Sequence, residues 1–202
     1  METLYRIGVD DRERAKAVLT SAFHEEIKTL TTKYSLKRRA AEEMFSTPLG
    51  LGLSKGEVYA SSERIEGVMA VLPGEHANSG LISLLASGTF FRSFGALRLM
   101  MRKDVRTTLA EMSRDKKALN LGPYYYVAVL GVARGHQGKG VGGKLLAALC
   151  EKADAEGRAL YLETQTSRNV AWYEGYGFSV RKRLGTADSM QICEMARPRR
   201  RP

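Results

Sequence analysis

Cysteine is scarce in this sequence, with two residues among 202. Cys150 falls in a predicted helix and Cys193 in a predicted strand, and neither has a partner at a zinc-binding spacing. The scarcity excludes a disulfide framework and is typical of a protein from a reducing compartment. We therefore expect two packed thiols, no metal site and a cytoplasmic location.

The sequence also lacks an uninterrupted hydrophobic run of membrane-spanning length. Its most apolar stretch, residues 80–101, is interrupted by Arg92 and Arg98 before it reaches the roughly 20 apolar residues that a bilayer helix needs. The first 16 residues are charged and contain no apolar signal core. We expect no membrane partner and no secretion.

Low-complexity segments and internal repeats are missing as well. With 202 residues, 44% of them hydrophobic, the chain can bury one substantial core. Its net charge is +10, part of which lies in the C-terminal residues 197–202. A basic chain favours anionic partners. The tail has no interleaved aromatic residues, however, and is interpreted as a solvated end, so we expect no specific nucleic-acid partner.

The most informative segment that is present is VAVLGVARGHQGKGVGGKLL, residues 127–146. An apolar, strand-like run is followed by a glycine-dense loop and then by an amphipathic helix. A helix that begins at such a loop directs free N–H groups and the positive end of its dipole towards the loop. Together with Lys139 and Lys144, this arrangement predicts an anion site of the kind that binds a pyrophosphate.

Spacing distinguishes three types of phosphate loop. The Walker pattern fits residues 138–144, but Leu145 follows where a magnesium-binding hydroxyl is needed, which argues against a P-loop. The dinucleotide pattern G-x-G-x-x-G is met by Gly138, Gly140 and Gly143. Glu163 lies about twenty residues further on, where a ribose-binding acid belongs. Against this alternative, residues 133–137 separate the strand from the first glycine, and only about forty residues follow Glu163 to complete a doubly wound sheet.

The third pattern, Q-x-x-G-x-G, is met by Gln137, Gly140 and Gly142 after a strand that ends in Leu130-Gly131-Val132. It resembles the acetyl-CoA motif of the GNAT family of N-acetyltransferases. Downstream, the family's asparagine and its Y-x-x-x-G-F signature correspond to Asn169, Tyr173 and Gly177-Phe178. The matched core covers residues 124–179, and the sequence of its motifs is similar to that of the puromycin N-acetyltransferase-like branch.

The resemblance implies an α/β fold in which a mixed central β-sheet is flanked by helices and the fourth and fifth strands splay apart. The sequence pattern predicts strands at 4–7, 57–61, 64–72, 124–132, 159–164, 178–184 and 189–196. It predicts helices from Asp10 or Asp11 to about Glu25 and at 35–45, 81–101, 104–118, 140–156 and 168–175. We expect one acetyltransferase domain over residues 1–202. Its expected parts are an N-terminal region (1–74), a substrate-side helical insert (75–120), an acetyl-CoA-binding core (124–196) and a basic tail (197–202).

The resemblance also implies acetyl-CoA as the co-substrate, with no metal. Main-chain groups of Leu130, Gly131 and Val132 would pair with the pantetheine arm, and Asn169 would contact it. The pyrophosphate would lie in the loop that is formed by Gln137, Gly138, Lys139, Gly140, Gly142 and Gly143.

Two residues are candidates for proton transfer. Tyr173 matches the family tyrosine that protonates the departing CoA thiolate, so it is interpreted as the general acid; packing beside Trp172 and Tyr176 is the alternative. No carboxylate or histidine occurs in residues 124–132, where many relatives have an acid. Glu163 at the end of the next strand is a candidate base, directly or through water, and its alternative is a structural carboxylate.

The resulting hypothesis is an enzyme that transfers an acetyl group from acetyl-CoA to a primary amine of a small molecule, such as an antibiotic or a metabolite. Acetylation of a protein or peptide amine and a non-catalytic acyl-CoA-binding module are the alternatives. The resemblance also leaves a homodimer open, because family members commonly pair through sheet edges or the final strands.

Overall fold

The computed structural model describes residues 4–33, 37–77, 120–185 and 191–200, and a few helical positions between 106 and 114. Its strands are β1 (Tyr5–Arg6), β2 (Glu57–Ala60), β3 (Gly67–Pro73), β4 (Tyr124–Val132), β5 (Ala159–Thr164), β6 (Ser179–Leu184) and β7 (Ile192–Arg197). Within the described residues they form a seven-stranded sheet in the order β1-β2-β3-β4-β5-β7-β6. Neighbouring strands are antiparallel except β4 and β5, which are parallel. The predicted mixed α/β architecture is confirmed.

The described helices are α1 (Arg12–Ala22), α2 (His24–Lys33), α3 (Arg38–Lys55), α4 (Val141–Ala155) and α5 (Ser167–Glu174). They cover both faces of the sheet. On one face, α4 and α5 pack on β3, β4, β5 and β7 around Leu145, Leu149, Leu160 and Met195. On the other face, α1 and α3 pack on β2, β3 and the second half of β4 around Leu19, Leu49, Val68 and Val129. We call these the α4 face and the α1 face.

A bulge in the middle of β4 changes which of its side chains point to each face of the sheet. Val127 pairs with Val71 and Val129 with Ala70, so Ala128 is an extra residue opposite β3. Val127 consequently belongs to the core on the α4 face, whereas Val129, two residues later, belongs to the core on the α1 face. One strand therefore contributes to both cores.

The two parallel strands separate shortly after they begin. β4 and β5 pair at Tyr124 with Ala159, at Tyr125 with Leu160 and at Tyr126 with Tyr161, and the pairing ends there. Beyond this point β4 continues along β3 as far as Val132, and β5 continues along β7 as far as Thr164. An opening between β4 and β5 results, which confirms the predicted splay.

The N-terminal helices differ from the prediction. The sequence predicted one helix to about Glu25. In the structure α1 ends at Ala22, and a second helix, α2, begins at His24. The helix predicted at 35–45 is α3, which continues through Pro48 to Lys55. Pro48 removes one helical hydrogen bond, but burial of Leu49 and Leu51 in the following turn favours continuation of the helix.

The remaining expectations are met in part. Cys150 and Cys193 are buried free thiols, as expected. Most of the predicted insert at 75–120 lies outside the described residues, including the whole helix predicted at 81–101. The described positions of the helix predicted at 104–118, which are 106, 107, 110, 111 and 114, are helical. In the part of the chain that the structure describes, no helix is long and apolar enough to cross a bilayer.

Candidate active site

The glycine loop connects the end of β4 to the start of α4. Gly138 and Gly140 have φ angles of +73° and +80°, in the left-handed region that side chains with a Cβ rarely adopt. A Cβ added at either glycine would meet no atom within 4 Å. The backbone conformation at these two positions therefore favours glycine. The space that a Cβ would occupy is open and can hold a ligand.

The loop also presents unused backbone donors. Gly140 is the N-cap of α4, and its carbonyl accepts from the Lys144 N–H at 2.9 Å. Among the described residues, none of the backbone N–H groups of residues 138–143 donates a well-formed hydrogen bond to another backbone group. Free N–H groups at a helix N-terminus bind anions because they are donors at the positive end of the helix dipole. The loop has the geometry of a phosphate site.

Two polar side chains of the loop stabilise its shape. The Gln137 side-chain amide donates to the Val132 carbonyl at 3.0 Å, and the Lys139 ammonium donates to the Gly135 carbonyl at 2.9 Å. Gln137 thus ties the loop to the last residue of β4. Lys139 uses one of three donors in this contact and adds positive charge near the loop.

Gly142 and Gly143 lie inside the first turn of α4 and face other parts of the protein. A Cβ on Gly142 would contact Val132, Leu130 and Trp172 at 3.5–3.7 Å, and one on Gly143 would lie 2.5 Å from the Tyr176 hydroxyl. Glycine at 143 is therefore needed for the packing of α5 and the following turn against α4. The sequence pattern did not indicate this second reason for glycine.

The last residues of β4 line the opening. Leu130, Gly131 and Val132 pair with β3 along one edge, and their other edge faces the gap that β5 leaves. A Cβ on Gly131 would lie 3.0–3.1 Å from Leu19, Ala22 and Phe23, so the junction of α1 and α2 rests directly on this residue. The free edge matches the expected position for main-chain pairing with an extended ligand.

Helix α5 contributes the predicted asparagine and tyrosine. Thr166 caps it by accepting from the Asn169 N–H at 3.1 Å, a cap that the sequence analysis missed although threonine before a helix is a known signal. The Asn169 side chain is exposed. Tyr173, one turn later, is 9% exposed and contacts the rings of Trp172 and Phe178 at centroid distances of 4.9 and 5.6 Å.

The Tyr173 phenol has the properties of a proton donor. No hydrogen bond joins it to another described residue, so its hydroxyl remains available. Burial raises its pKa to about 12. The phenol is therefore protonated throughout the neutral range.

Glu163 lies on the α1 face, two residues beyond Tyr161, the last residue of β5 that pairs with β4. It is directly opposite Glu194 of β7. Residues on the same face of these strands include Tyr126 and Tyr161, whose rings are 5.9 Å apart, and Tyr124, whose ring is 6.2 Å from that of Tyr161. The sequence analysis missed Tyr124, Tyr126, Tyr161 and Glu194.

The carboxylates of Glu163 and Glu194 influence the tyrosines beside them. Burial raises the pKa of Tyr126 well above its ordinary value, and the charge of Glu163 and a hydrogen bond to it raise that pKa further. Burial likewise raises the pKa of Tyr161, and the nearby carboxylates of Glu163 and Glu194 raise that pKa further. Glu163 thus accepts a hydrogen bond from the Tyr126 hydroxyl instead of being fully hydrated.

The two predicted proton-transfer residues lie on opposite faces of the sheet. Tyr173 belongs to the core on the α4 face, and Glu163 lies on the α1 face, as shown by the inward facing of Leu160 and Leu162 on the same strand. The glycine loop is at the end of the opening where α4 begins. This arrangement suits two ligands that meet between β4 and β5, one from each face. In the described part of the chain, no group of three His, Cys, Asp or Glu side chains is arranged to hold a metal ion.

Comparisons with known proteins agree with this geometry. Residues 101–180 match the model of the acetyltransferase (GNAT) domain. A structure of histone acetyltransferase HPA2 and related acetyltransferase from Corynebacterium glutamicum superposes with a TM-score of 0.62 at 19% identity, covering 99% of this chain and 97% of that one.

Two further structures share the fold. An agmatine N-acetyltransferase variant has a TM-score of 0.60 at 13% identity, with 96% of this chain and 97% of that chain covered. The Drosophila melanogaster polyamine N-acetyltransferase has a TM-score of 0.58 at 14% identity, with 96% and 98% covered. Residues 101–180 are thus similar to a GNAT acetyltransferase domain, and the chain shares its fold with these acetyltransferase structures.

Proposed function

We propose that this protein transfers the acetyl group of acetyl-CoA to a primary amine of a small molecule. The observation that supports this proposal most strongly is the opening between β4 and β5 after Tyr126 and Tyr161, which has an open phosphate-type loop at one end. Tyr173 and Glu163, the two residues to which we assign proton transfer, lie on opposite faces of the sheet. In this assignment the core at 124–196 binds acetyl-CoA, and the insert at 75–120 lies on the acceptor side.

The chain offers a matching group for each part of acetyl-CoA. The free N–H groups of residues 138–143 and the Lys139 ammonium suit the pyrophosphate. The free edge of Leu130, Gly131 and Val132 suits the amides of the pantetheine arm, and Asn169 has an exposed side chain nearby in the first turn of α5. A main-chain N–H of this edge can polarise the thioester carbonyl.

The reaction needs one proton removed and one delivered. A neutral amine attacks the thioester carbonyl, the C–N bond forms, and the C–S bond breaks to release a thiolate. Glu163 accepts the proton of the amine nitrogen, directly or through a water molecule, and Tyr173 donates a proton to the CoA sulfur. The position of Glu163 on the α1 face and of Tyr173 on the α4 face fits these roles.

The nature of the acceptor is part of the proposal. Fold neighbours include enzymes that are named for agmatine and for polyamines, which supports a small-molecule amine. The similarity of residues 124–179 to the puromycin N-acetyltransferase-like branch adds antibiotics to the acceptors that should be screened.

The placement of acetyl-CoA can be tested with two alanine variants of helix α4. Gly140→Ala and Gly157→Ala each put a Cβ at a positive φ, +80° and +61°, with no atom within 4 Å of that Cβ. Both should cost about 1–2 kcal/mol in backbone strain. Only Gly140 belongs to the proposed phosphate loop, whereas Gly157 follows the other end of the helix.

The measurements are thermal stabilisation by acetyl-CoA, CoA and NAD, and thiol release from acetyl-CoA in the presence of amines. We expect acetyl-CoA and CoA to stabilise the unmodified protein and Gly157→Ala to a similar extent, and Gly140→Ala much less. Equal loss in both variants would show that the loop is not the site. Stabilisation by NAD alone would replace the acetyltransferase assignment with the dinucleotide alternative.

A further inference from the structure

The Tyr176 hydroxyl lies against the first turn of α4. It is 2.5 Å from the position that a Cβ on Gly143 would occupy. Because the Cα–Cβ bonds of a helix tilt towards its N-terminus, this position and the hydroxyl next to it are displaced towards the open end of α4. Gly143 also belongs to residues 138–143, whose backbone N–H groups form the proposed phosphate site. The hydroxyl is therefore a neighbour of that site.

Several contacts fix the position of Tyr176. Its N–H donates to the Tyr173 carbonyl at 2.9 Å, and its carbonyl accepts from the Arg197 Nε at 3.1 Å. The terminal nitrogens of Arg197 donate to both carboxylate oxygens of Asp154, which belongs to α4. The Tyr176 ring lies 5.2 Å from that of Trp172. The main chain that carries the hydroxyl is thus tied to the same helix whose first turn the hydroxyl contacts.

The hydroxyl is available to a ligand. No hydrogen bond joins it to another residue that the structure describes. The Tyr176 side chain is partly exposed. A phenol can donate one hydrogen bond and accept others, so this group can serve an anion as a donor.

Packing alone would favour a different pair of residues at positions 143 and 176. Besides the hydroxyl oxygen, the next atom that a Cβ on Gly143 would meet is the Tyr176 Cζ, at 3.8 Å, which is an ordinary van der Waals contact. Phenylalanine at position 176 would therefore leave room for alanine at position 143, and alanine stabilises a helix more than glycine does. The hydroxyl excludes that pair and gains no hydrogen bond from the described residues. A bound ligand would explain why it is present.

We propose that Tyr176 is a further binding residue for acetyl-CoA and that its hydroxyl donates a hydrogen bond to a phosphate group at the start of α4. This inference rests on the proposed acetyltransferase function and adds a side-chain donor to the backbone donors of the loop. The pyrophosphate and the 3′-phosphate of CoA offer the same acceptor chemistry. The free N–H groups of the loop favour the pyrophosphate. Hydrogen bonds to charged groups are stronger than neutral ones, so loss of this bond should weaken binding measurably.

Tyr176→Phe tests the proposal, because it removes the hydroxyl and keeps the ring. We expect the Kd of CoA and the KM for acetyl-CoA to increase about tenfold, with kcat unchanged, since the bond is present in both the ground state and the transition state. Trp172 is the single tryptophan of the chain and contacts the Tyr176 ring, so its fluorescence can report binding. Thermal unfolding shows that the variant is folded.

Tyr59→Phe is the matched control. Tyr59 and Tyr176 are both partly buried against the core on the α4 face, but the Tyr59 hydroxyl donates to the Glu57 carboxylate at 2.8 Å, within β2. Tyr59→Phe should therefore leave the Kd of CoA and the KM for acetyl-CoA unchanged.

Three ligands identify the phosphate. CoA contains both phosphate groups, 3′-dephospho-CoA contains only the pyrophosphate, and pantetheine contains neither. Tyr176→Phe should raise the Kd of CoA and of 3′-dephospho-CoA by the same factor and leave that of pantetheine unchanged. An increase for CoA alone would also support the proposal and would assign the hydroxyl to the 3′-phosphate. Equal increases for all three ligands would refute it, because the effect would then not depend on a phosphate.

The outcomes separate this inference from the proposed function. If the unmodified protein neither binds acetyl-CoA nor releases thiol from it with any amine, the acetyltransferase proposal fails. If the unmodified protein binds CoA and folded Tyr176→Phe binds it equally well, the function stands and the inference about Tyr176 is wrong. Gly143→Ala displaces the same hydroxyl and should show the same phosphate-dependent loss. It decides the question should Tyr176→Phe not fold.

Discussion

Replacing Tyr173 by phenylalanine should separate activity from stability. The change removes only a hydroxyl group, and that hydroxyl forms no hydrogen bond with another described residue. The ring, which packs on Trp172 and Phe178, is retained. If the phenol is the general acid, its loss affects the reaction and not the fold.

The magnitudes follow from burial. Burying a hydroxyl without a protein partner costs up to about 1–3 kcal/mol, so Tyr173→Phe should leave the free energy of unfolding unchanged or raise it slightly. General acid catalysis contributes about 10²–10⁴-fold to rates, and we expect kcat to decrease within that range. KM for acetyl-CoA should change little.

Tyr125→Phe is the matched control. Tyr125 is 8% exposed and lies in the same core as Tyr173, but its hydroxyl donates to the Glu156 carboxylate. Loss of a hydrogen bond to a charged group costs about 1.5–3 kcal/mol, which lowers Tm by roughly 3–12 °C in a chain of this size. Activity per folded molecule should remain.

The comparison requires the thermal unfolding and the rate of thiol release of the unmodified protein, Tyr173→Phe and Tyr125→Phe. The reasoning is refuted if Tyr173→Phe keeps full kcat, because the phenol then takes no part in the reaction. It is also refuted if Tyr173→Phe loses as much stability as Tyr125→Phe, since the hydroxyl would then have a structural partner.

Two further predictions concern packing and pH. Gly143→Ala should cost about 1–3 kcal/mol, because its Cβ would lie 2.5 Å from the Tyr176 hydroxyl, and a double-mutant cycle by thermal unfolding should show that Tyr176→Phe removes most of this cost. Arg197 donates to both carboxylate oxygens of Asp154, at 2.6 and 2.7 Å, and this contact lowers the pKa of Asp154. The contribution of Asp154 to stability is therefore present above its unfolded pKa of about 3.9 and is lost as the pH falls through its folded pKa. Unfolding measured between pH 2 and 6 should show an acid-side decline that is smaller in Arg197→Met; equal declines would contradict this reasoning.

The sequence predicted the C-terminal half well because its signals are local. The strand at 124–132, the helix from Val141 and the strand at 159–164 follow from apolar periodicity and from glycines at the boundaries. Gly138 and Gly140, the central residues of the predicted loop, do have the backbone geometry that the motif requires.

The features that the sequence did not predict depend on contacts between distant segments. The break between α1 and α2 at Phe23 occurs where this junction packs on Gly131. Glu163 and Glu194 are 31 positions apart, and they become neighbours only because β7 inserts between β5 and β6 in the sheet. Glu163 could be singled out from its strand, but its partners could not, since strand order is not a local property.

The extra residue at Ala128 sets the relative phase of the two halves of β4. Before the bulge, even-numbered positions such as Tyr126 face the α1 side; after it, odd-numbered positions such as Val129 do. Deleting Ala128 would rotate one half against the other by half a strand period. Either the tyrosines would enter the aliphatic core beneath α4, or Gly131 would turn away from the α1–α2 junction. The number of residues in this strand is consequently fixed, and we expect an insertion or deletion within it to disrupt one of the two cores.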